Sequence, residues 1–386
     1  MESLVMPRYG AGALADVIPS LLAGLQVPDM VNVLDLPSAR KVCVLLVDGL
    51  GWRLLQTYRD DAPFLSSLVA GREPITAGFP STTVTSIAAL GTGLPPGEHG
   101  LVGYSFAISD TELLNALTWS RHGLRHAKDL RSQAFPEQIQ PRRTAWERAT
   151  DAGVAVRFVT PHAQESTGLT RAVLRGGAFR KVHALGDLAG RALEALGEDG
   201  RSLCYAYHAD LDTLGHVYGP GSDPWRYQLA HIDRLAATIA GRLPRAGMLI
   251  VTADHGMVTV AEEDRIDFDA HPRLHDGVRM LGGEARVRYL YTESGATEDV
   301  LDRWHEMLGE QAWIVRRDEA IEAGWFGPRV ADHVRDRIGD LIIAARGNIA
   351  VIRSALEPRQ SQLVGHHGSL TADEQLIPLL VFHNSQ

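Results

Sequence analysis

Short apolar runs rich in β-branched residues recur along the chain, separated by stretches of helical period. Val42-Cys43-Val44-Leu45-Leu46-Val47 is nearly continuous in its apolar character, as a strand covered on both faces must be. Val154 to Val159, Leu203 to Tyr207, Met248 to Val251 and Leu379 to Phe382 repeat the pattern. Between them, Ala11 to Leu25 carries leucines at helical spacing, and Trp146 to Ala152 ends at Gly153, a helix-stopping residue. Asp223 to Leu243 repeats apolar residues about every 3.6 positions. Alternating strands and helices predict an α/β fold, a central mostly parallel sheet flanked by helices.

One region breaks this rhythm. From about Ala261 to about Gln362 the chain is richer in Arg, Asp, Glu and His. It contains a strand-like Arg286-Val287-Arg288-Tyr289-Leu290-Tyr291 and a helix near Asp299 to Leu308. The expectation is a smaller inserted cap at 261–362, within a core formed by 1–260 and 363–386.

Composition narrows the classes. With 386 residues, 45% apolar and 22% charged, the chain has the make-up of a globular protein large enough for one big domain or two smaller ones. A net charge of −9 opposes a broad basic face, so no nucleic-acid partner is expected. The uncharged stretch between Glu73 and Glu98 holds 15 Ser, Thr, Gly or Pro in 24 residues, too polar for a membrane span. Cys43 and Cys204 sit inside apolar runs and read as buried small hydrophobes. No secretory pattern opens the chain, and a cytoplasmic protein is the expectation.

Five segments carry candidate chemistry. Asp48-Gly49 follows the first strand, Asp212 and His216 stand one helical turn apart after the third, and Asp254-His255-Gly256 follows the fourth. Gly365-His366-His367-Gly368 precedes the last. The fifth, Phe79-Pro80-Ser81-Thr82-Thr83, leads into the short apolar helix of Ile87-Ala88-Ala89-Leu90. A helix N-terminus offers N–H groups and a favourable dipole to a phosphate. In open α/β sheets ligands bind beyond the carboxyl ends of strands, so these segments converge on one crevice. Carboxylates and imidazoles are zinc ligand types. Seven groups (Asp48, Thr83, Asp212, His216, Asp254, His255 and one of His366/His367) suit two metals that clamp the attacking and leaving oxygens of a displacement. A hydroxyl needs a base or metal to act as nucleophile.

These segments, in this order from Asp48 to His367, resemble the type I phosphodiesterase/nucleotide pyrophosphatase family of the alkaline phosphatase superfamily. The resemblance implies that Thr83 is the nucleophile. It further implies that Asp48, Thr83, Asp254 and His255 hold one zinc, and that Asp212, His216 and His367 hold the other. Manganese or iron are alternative metals. Thr82 is a weaker alternative nucleophile, Asp210 an alternative ligand, and His366 the alternative to His367. Eukaryotic-type members follow the nucleophile with Phe-Pro-Asn, whose Asn helps hold a phosphoryl oxygen. Here Val84-Thr85-Ser86 stands there, so Ser86 is the candidate donor. His99 is assigned a structural role. The implied activity is hydrolysis of a small phosphorus-containing ester through a phospho-threonine.

Phosphonate hydrolase or phosphomonoesterase chemistry on the same fold are the alternatives. A non-catalytic binding protein would be marked by missing ligands, and none is missing. The inserted region is expected to shape the leaving-group pocket, with His271, His275, Arg286 and Arg288 as candidate substrate contacts.

Overall fold

The computed structural model describes residues 3–123 and 128–384. Its ten principal strands run in chain order β1 (Lys41–Val47), β2 (Ala155–Pro161), β3 (Ala178–Val182), β4 (Ser202–His208) and β5 (Gly247–Thr252), then β6 (Val278–Glu284), β7 (Val287–Thr292), β8 (Ala312–Arg316), β9 (Leu341–Ala345) and finally β10 (Leu379–His383). The central sheet has the order β10-β5-β1-β4-β2-β3. All its pairings are parallel except β10 with β5. It is therefore the expected α/β fold with a central mostly parallel sheet. Val42 to Val47 are fully buried, which explains why the run is apolar without alternation. Cys43 faces Cys204 in register across β1 and β4, and both are free, buried thiols.

The helical expectations hold with shifted ends. The stretch from Ala11 begins as a turn of 3-10 helix at Leu14–Asp16 and becomes α-helical only at Val17–Gly24. The Asp16 carboxylate accepts the N–H groups of Gly10, Gly12 and Ala13, holding them outside the helix. Ala145–Asp151 is helical and closes at Gly153. The long helix spans Asp223–Ala240. Among the described residues, no helix is long and apolar enough to cross a membrane.

The region 261–362 carries its own antiparallel sheet, β6-β7-β9-β8, covered by the helix Thr297–Leu308. One face buries Leu281, Leu290, Trp304, Leu341 and Ile343 in a separate apolar cluster. The other face sends Val287, Tyr289 and Tyr291 into the main core. This region therefore shares the main apolar core. A small three-stranded sheet between Ser105 and Arg121 was not signalled by the sequence, its strands having five, four and two residues.

The register of the parallel strands builds the crevice. Val47 pairs with His208 and Leu46 with Thr252, so β1, β4 and β5 end together. The chain segments that leave those strands emerge side by side.

Candidate active site

Each functional side chain is set by a short segment beyond a strand end or at a helix start. Asp48 follows β1 directly. Gly49 takes φ +76, and a Cβ there would meet Asp212 at 3.1 Å, so glycine is what lets the two carboxylates share one space. The helix Asp210–Tyr218 puts Asp212 and His216 on one face, with Asp212 Oδ2 3.3 Å from His216 Nε2. Asp254 and His255 leave β5, and His367 follows a two-residue strand, Gly365–His366, paired with Val258–Thr259.

Thr83 opens the helix Thr83–Thr92, a segment buried on nearly all sides and closed by Gly93. Thr82 is its N-cap, yet the Thr82 hydroxyl makes no capping bond. It donates instead to Glu284 Oε2 at 3.2 Å. The first N–H groups of the helix are thus left without a side-chain cap.

Two groups of donors result: Asp48, Asp254 and His255, and Asp212, His216 and His367. Within each group the donor atoms all lie within 4.8 Å of one another. His255 Nε2 is 3.3 Å from Asp48 Oδ1, 3.5 Å from Asp254 Oδ2 and 3.3 Å from Thr83 Oγ1. The three imidazoles share one device. Nδ1 of His255 donates to the Gly256 carbonyl at 2.8 Å, Nδ1 of His216 to Gly365 at 2.7 Å, and Nδ1 of His367 to Ser81 at 3.0 Å. Each proton is thereby fixed on Nδ1, and the Nε2 lone pair faces the cluster, the arrangement metal-ligating histidines adopt.

The carboxylates are built to the same end. Asp254 Oδ1 accepts the N–H groups of Gly49 and His255, both at 3.1 Å, and Asp48 Oδ2 accepts the Tyr207 hydroxyl. Their other oxygens, Asp48 Oδ1 and Asp254 Oδ2, and Asp212 Oδ1 beside them, are buried and accept nothing. Burial pushes Asp48 and Asp212 up to about 7 and Asp254 to about 8, the charges of Asp212 on Asp48 and of Asp48 on Asp254 adding to it. Burial also holds His216 below its ordinary range and His367 well below it, the latter assisted by the neighbouring histidines. Orphaned buried carboxylate oxygens beside neutral imidazoles fit divalent cations, which would satisfy the oxygens and reverse these shifts.

Other sequence candidates fall elsewhere. Asp210 is exposed and outside both groups. His366 lines the cavity but directs Nε2 to the Leu363 carbonyl at 3.1 Å. Ser86 gives its only hydroxyl hydrogen to the Asp254 carbonyl at 2.6 Å, so it braces the Asp254 loop instead of reaching a phosphoryl oxygen. His271 is exposed and away from the cavity. His275 stacks on Phe268 and bonds its carbonyl. Arg286 and Arg288 are fully buried in bidentate pairs, with Glu374 (3.0 and 2.6 Å) and Glu357 (3.1 and 2.8 Å). A strand points alternate residues the same way, and here that way is inward. His99 is buried, accepts the Leu101 N–H at 3.1 Å, and is structural in its contacts.

A cavity of about 240 Å³ opens on Thr83, Asp212, His216 and His367. The 261–362 region supplies Glu284, Ala285, Glu357 and Gln360 to its wall, and Tyr104 and Leu117 also line it. Glu284 was missed by the sequence reading. Its only local signal is the preceding Gly282-Gly283, and its partner Thr82 lies 202 residues away.

The model of the type I phosphodiesterase / nucleotide pyrophosphatase family matches residues 42–370. The chain belongs to that family. This places it in the alkaline phosphatase superfamily. Among curated relatives, a phosphopentomutase of Anaeromyxobacter dehalogenans is 29% identical over 163 residues. The match covers 41% of this chain and 39% of that protein, so the chain spans about two-fifths of its length. A pyrophosphatase/phosphodiesterase of Schizosaccharomyces pombe is 23% identical over 335 residues, 76% of this chain and 65% of that protein. Murine ectonucleotide pyrophosphatase/phosphodiesterase 5 shares the fold at TM-score 0.65 and 18% identity, covering 88% of this chain and 87% of that one. A phosphonoacetate hydrolase from Sinorhizobium meliloti, solved with phosphonoacetate, does so at 0.64 and 18%, covering 89% and 90%.

Proposed function

We propose that this protein is a metal-dependent phosphoric ester hydrolase of the phosphodiesterase/pyrophosphatase type, with Thr83 as nucleophile and a small phosphorus-containing ester as substrate. The observation that carries this reading is the convergence around Thr83 of three buried, unpartnered carboxylate oxygens and three imidazoles with their Nε2 atoms freed. Asp48, Thr83, Asp254 and His255 would hold one divalent ion, zinc being the first choice, and Asp212, His216 and His367 the other. Two such ions, when bound, lower the pKa of coordinated hydroxyl and water and offset charge on attacking and leaving oxygens.

The chain's own residues do the rest. Thr83 Oγ1 gives up its proton and attacks phosphorus as the bond to the leaving alkoxide breaks; the alkoxide takes up one proton and leaves as the alcohol, and a phosphoryl ester remains on Thr83. Water then displaces Thr83, so one water is consumed per ester cleaved. The uncapped N–H groups at the start of the Thr83–Thr92 helix receive non-bridging oxygen charge that Ser86 is not free to meet. Ser86 braces the Asp254 backbone, N–H groups and the Tyr207 hydroxyl hold the Asp254 and Asp48 carboxylates, and backbone carbonyls hold the imidazoles, so little reorganisation accompanies the reaction.

Assays of bis-p-nitrophenyl phosphate beside p-nitrophenyl phosphate test the reading, with metal quantified and Thr83→Ala in parallel. The expected result is diester turnover above monoester turnover, falling by at least about 10³-fold in kcat in Thr83→Ala. Unchanged activity in Thr83→Ala removes Thr83 from the nucleophile role. No turnover of either ester after zinc or manganese is added overturns the hydrolase reading, and favours the non-catalytic alternative.

A further inference from the structure

The inserted hairpin between β6 and β7 carries three ionisable residues in five positions, Glu284, Arg286 and Arg288, and only two of them are paired with an opposite charge. Arg286 is locked to Glu374 and Arg288 to Glu357, both within the buried interior. His122 Nε2 adds a second contact to Glu357 at 2.8 Å. The hairpin backbone is tied as firmly. The Gly283 carbonyl accepts the Ser105 hydroxyl at 2.8 Å, and the Ala285 and Arg286 carbonyls accept the N–H groups of Val351 and Ala345 at 2.8 Å.

Glu284 is held at the tip of this braced segment and faces the cavity. Its contacts are the Thr82 hydroxyl and, at 3.9 Å, His367 Nδ1, whose proton is already given to Ser81. Gly368, at φ +135, leaves room for it: a Cβ there would come within 3.2 Å of the Glu284 carboxyl. Among the described residues lining the cavity there is no Lys or Arg. Glu357 is paired with Arg288, and Asp212 belongs to a candidate metal-binding group, so among the described residues Glu284 is the acidic group on this wall without a Lys or Arg ion-pair partner, the Arg288 charge acting on it without an ion pair. It bonds Thr82, the neighbour of the nucleophile in the chain, and lines the same cavity as Thr83.

We propose that Glu284 is a specificity-determining residue that sets the charge of the phosphoryl group the site accepts, rejecting a doubly charged monoester and admitting a singly charged diester. The inference rests on the hydrolase reading and deepens it. Like charges held close in a desolvated site oppose each other, and the opposition grows with the second charge on the ligand. A diester replaces that second anionic oxygen with an alkoxy group, which Glu284 tolerates and Thr82 helps to space.

The test compares wild type with Glu284→Gln, of the same shape but uncharged, and Glu284→Asp, which keeps the charge. Assays run at pH 9, where a phosphate monoester is a dianion. In Glu284→Gln, kcat/KM for p-nitrophenyl phosphate should rise about tenfold, through KM, with bis-p-nitrophenyl phosphate changed less than about threefold. Binding of inorganic phosphate, read by calorimetry without turnover, should tighten by a similar factor, and Glu284→Asp should retain the wild-type ratio. A diester-to-monoester ratio unchanged in Glu284→Gln overturns the proposal. So does a parallel loss for both esters with loss of metal, which makes Glu284 a brace of the metal groups. Should Glu284→Gln not fold, Glu284→Ala carries the same comparison. Absence of turnover in wild type overturns the hydrolase reading itself, and is told apart because phosphate binding to wild type and Glu284→Gln is still compared.

Discussion

Arg286–Glu374 and Arg288–Glu357 bury four charges beside the cavity, and Asp48, Asp212 and Asp254 place three carboxylates around its catalytic side. The first set is complete: every guanidinium faces a carboxylate in bidentate geometry, and spare N–H groups go to the Ile349 and Val351 carbonyls. The second is incomplete: among the described residues no Lys or Arg pairs with it, and one oxygen on each carboxylate accepts nothing. Complete pairs position the wall. Incomplete ones mark where charge must arrive from outside the chain. Burial alone does not separate structure from function here; the state of the partners does.

The largest effect expected from breaking this contrast is on the paired side. Arg286→Met leaves Glu374 buried without its cation, keeping only the Ser369 N–H and the Thr371 hydroxyl, and should destabilise the fold by about 3–5 kcal/mol, read by denaturant unfolding. A loss under about 1 kcal/mol would mean that the pair is not structural in this sense.

Next comes the pH response of the unpaired side. In metal-free protein Asp48 and Asp212 titrate near 7 and Asp254 near 8 when folded, but near the ordinary carboxyl value when unfolded. The folded state therefore binds more protons between pH 6.5 and 8, and its stability falls as pH rises, by on the order of 2 kcal/mol across that window. Histidines whose folded values are depressed lose stability in the opposite direction, below pH 6.5, and do not mask the trend. Saturating zinc should reverse the slope, because binding releases those protons. Thermal unfolding with and without chelator at pH 6.5 and 8 reads both signs.

The smallest effect sharpens the comparison from outside. His271 touches neither set, and His271→Ala should leave stability within about 0.5 kcal/mol and kcat/KM unchanged within about twofold.

What the sequence made legible follows from range. The strands β1, β4 and β5 announced themselves because burial on both faces leaves an unbroken apolar run. Asp48, Asp212, Asp254 and His255 stood out because each sits immediately beyond such a run. The misreadings of Arg286, Arg288 and Ser86 involve partners far away in the chain. Arg286 and Arg288 read as substrate contacts because their carboxylates lie 88 and 69 residues onward. Ser86 read as a phosphoryl donor because the Asp254 carbonyl that takes its hydrogen is 168 residues away. Glu284 passed unnoticed since its meaning lies in Thr82 and the Gly368 turn, which only the fold brings together.

The most direct test of the central contrast is a crystal structure of protein loaded with zinc, with anomalous scattering at the metal edge. The account predicts two anomalous peaks per chain, one among Asp48, Thr83, Asp254 and His255 and one among Asp212, His216 and His367, with the three orphaned oxygens as ligands. Full-length, folded protein showing no peak at either group, with zinc or with manganese, would contradict it.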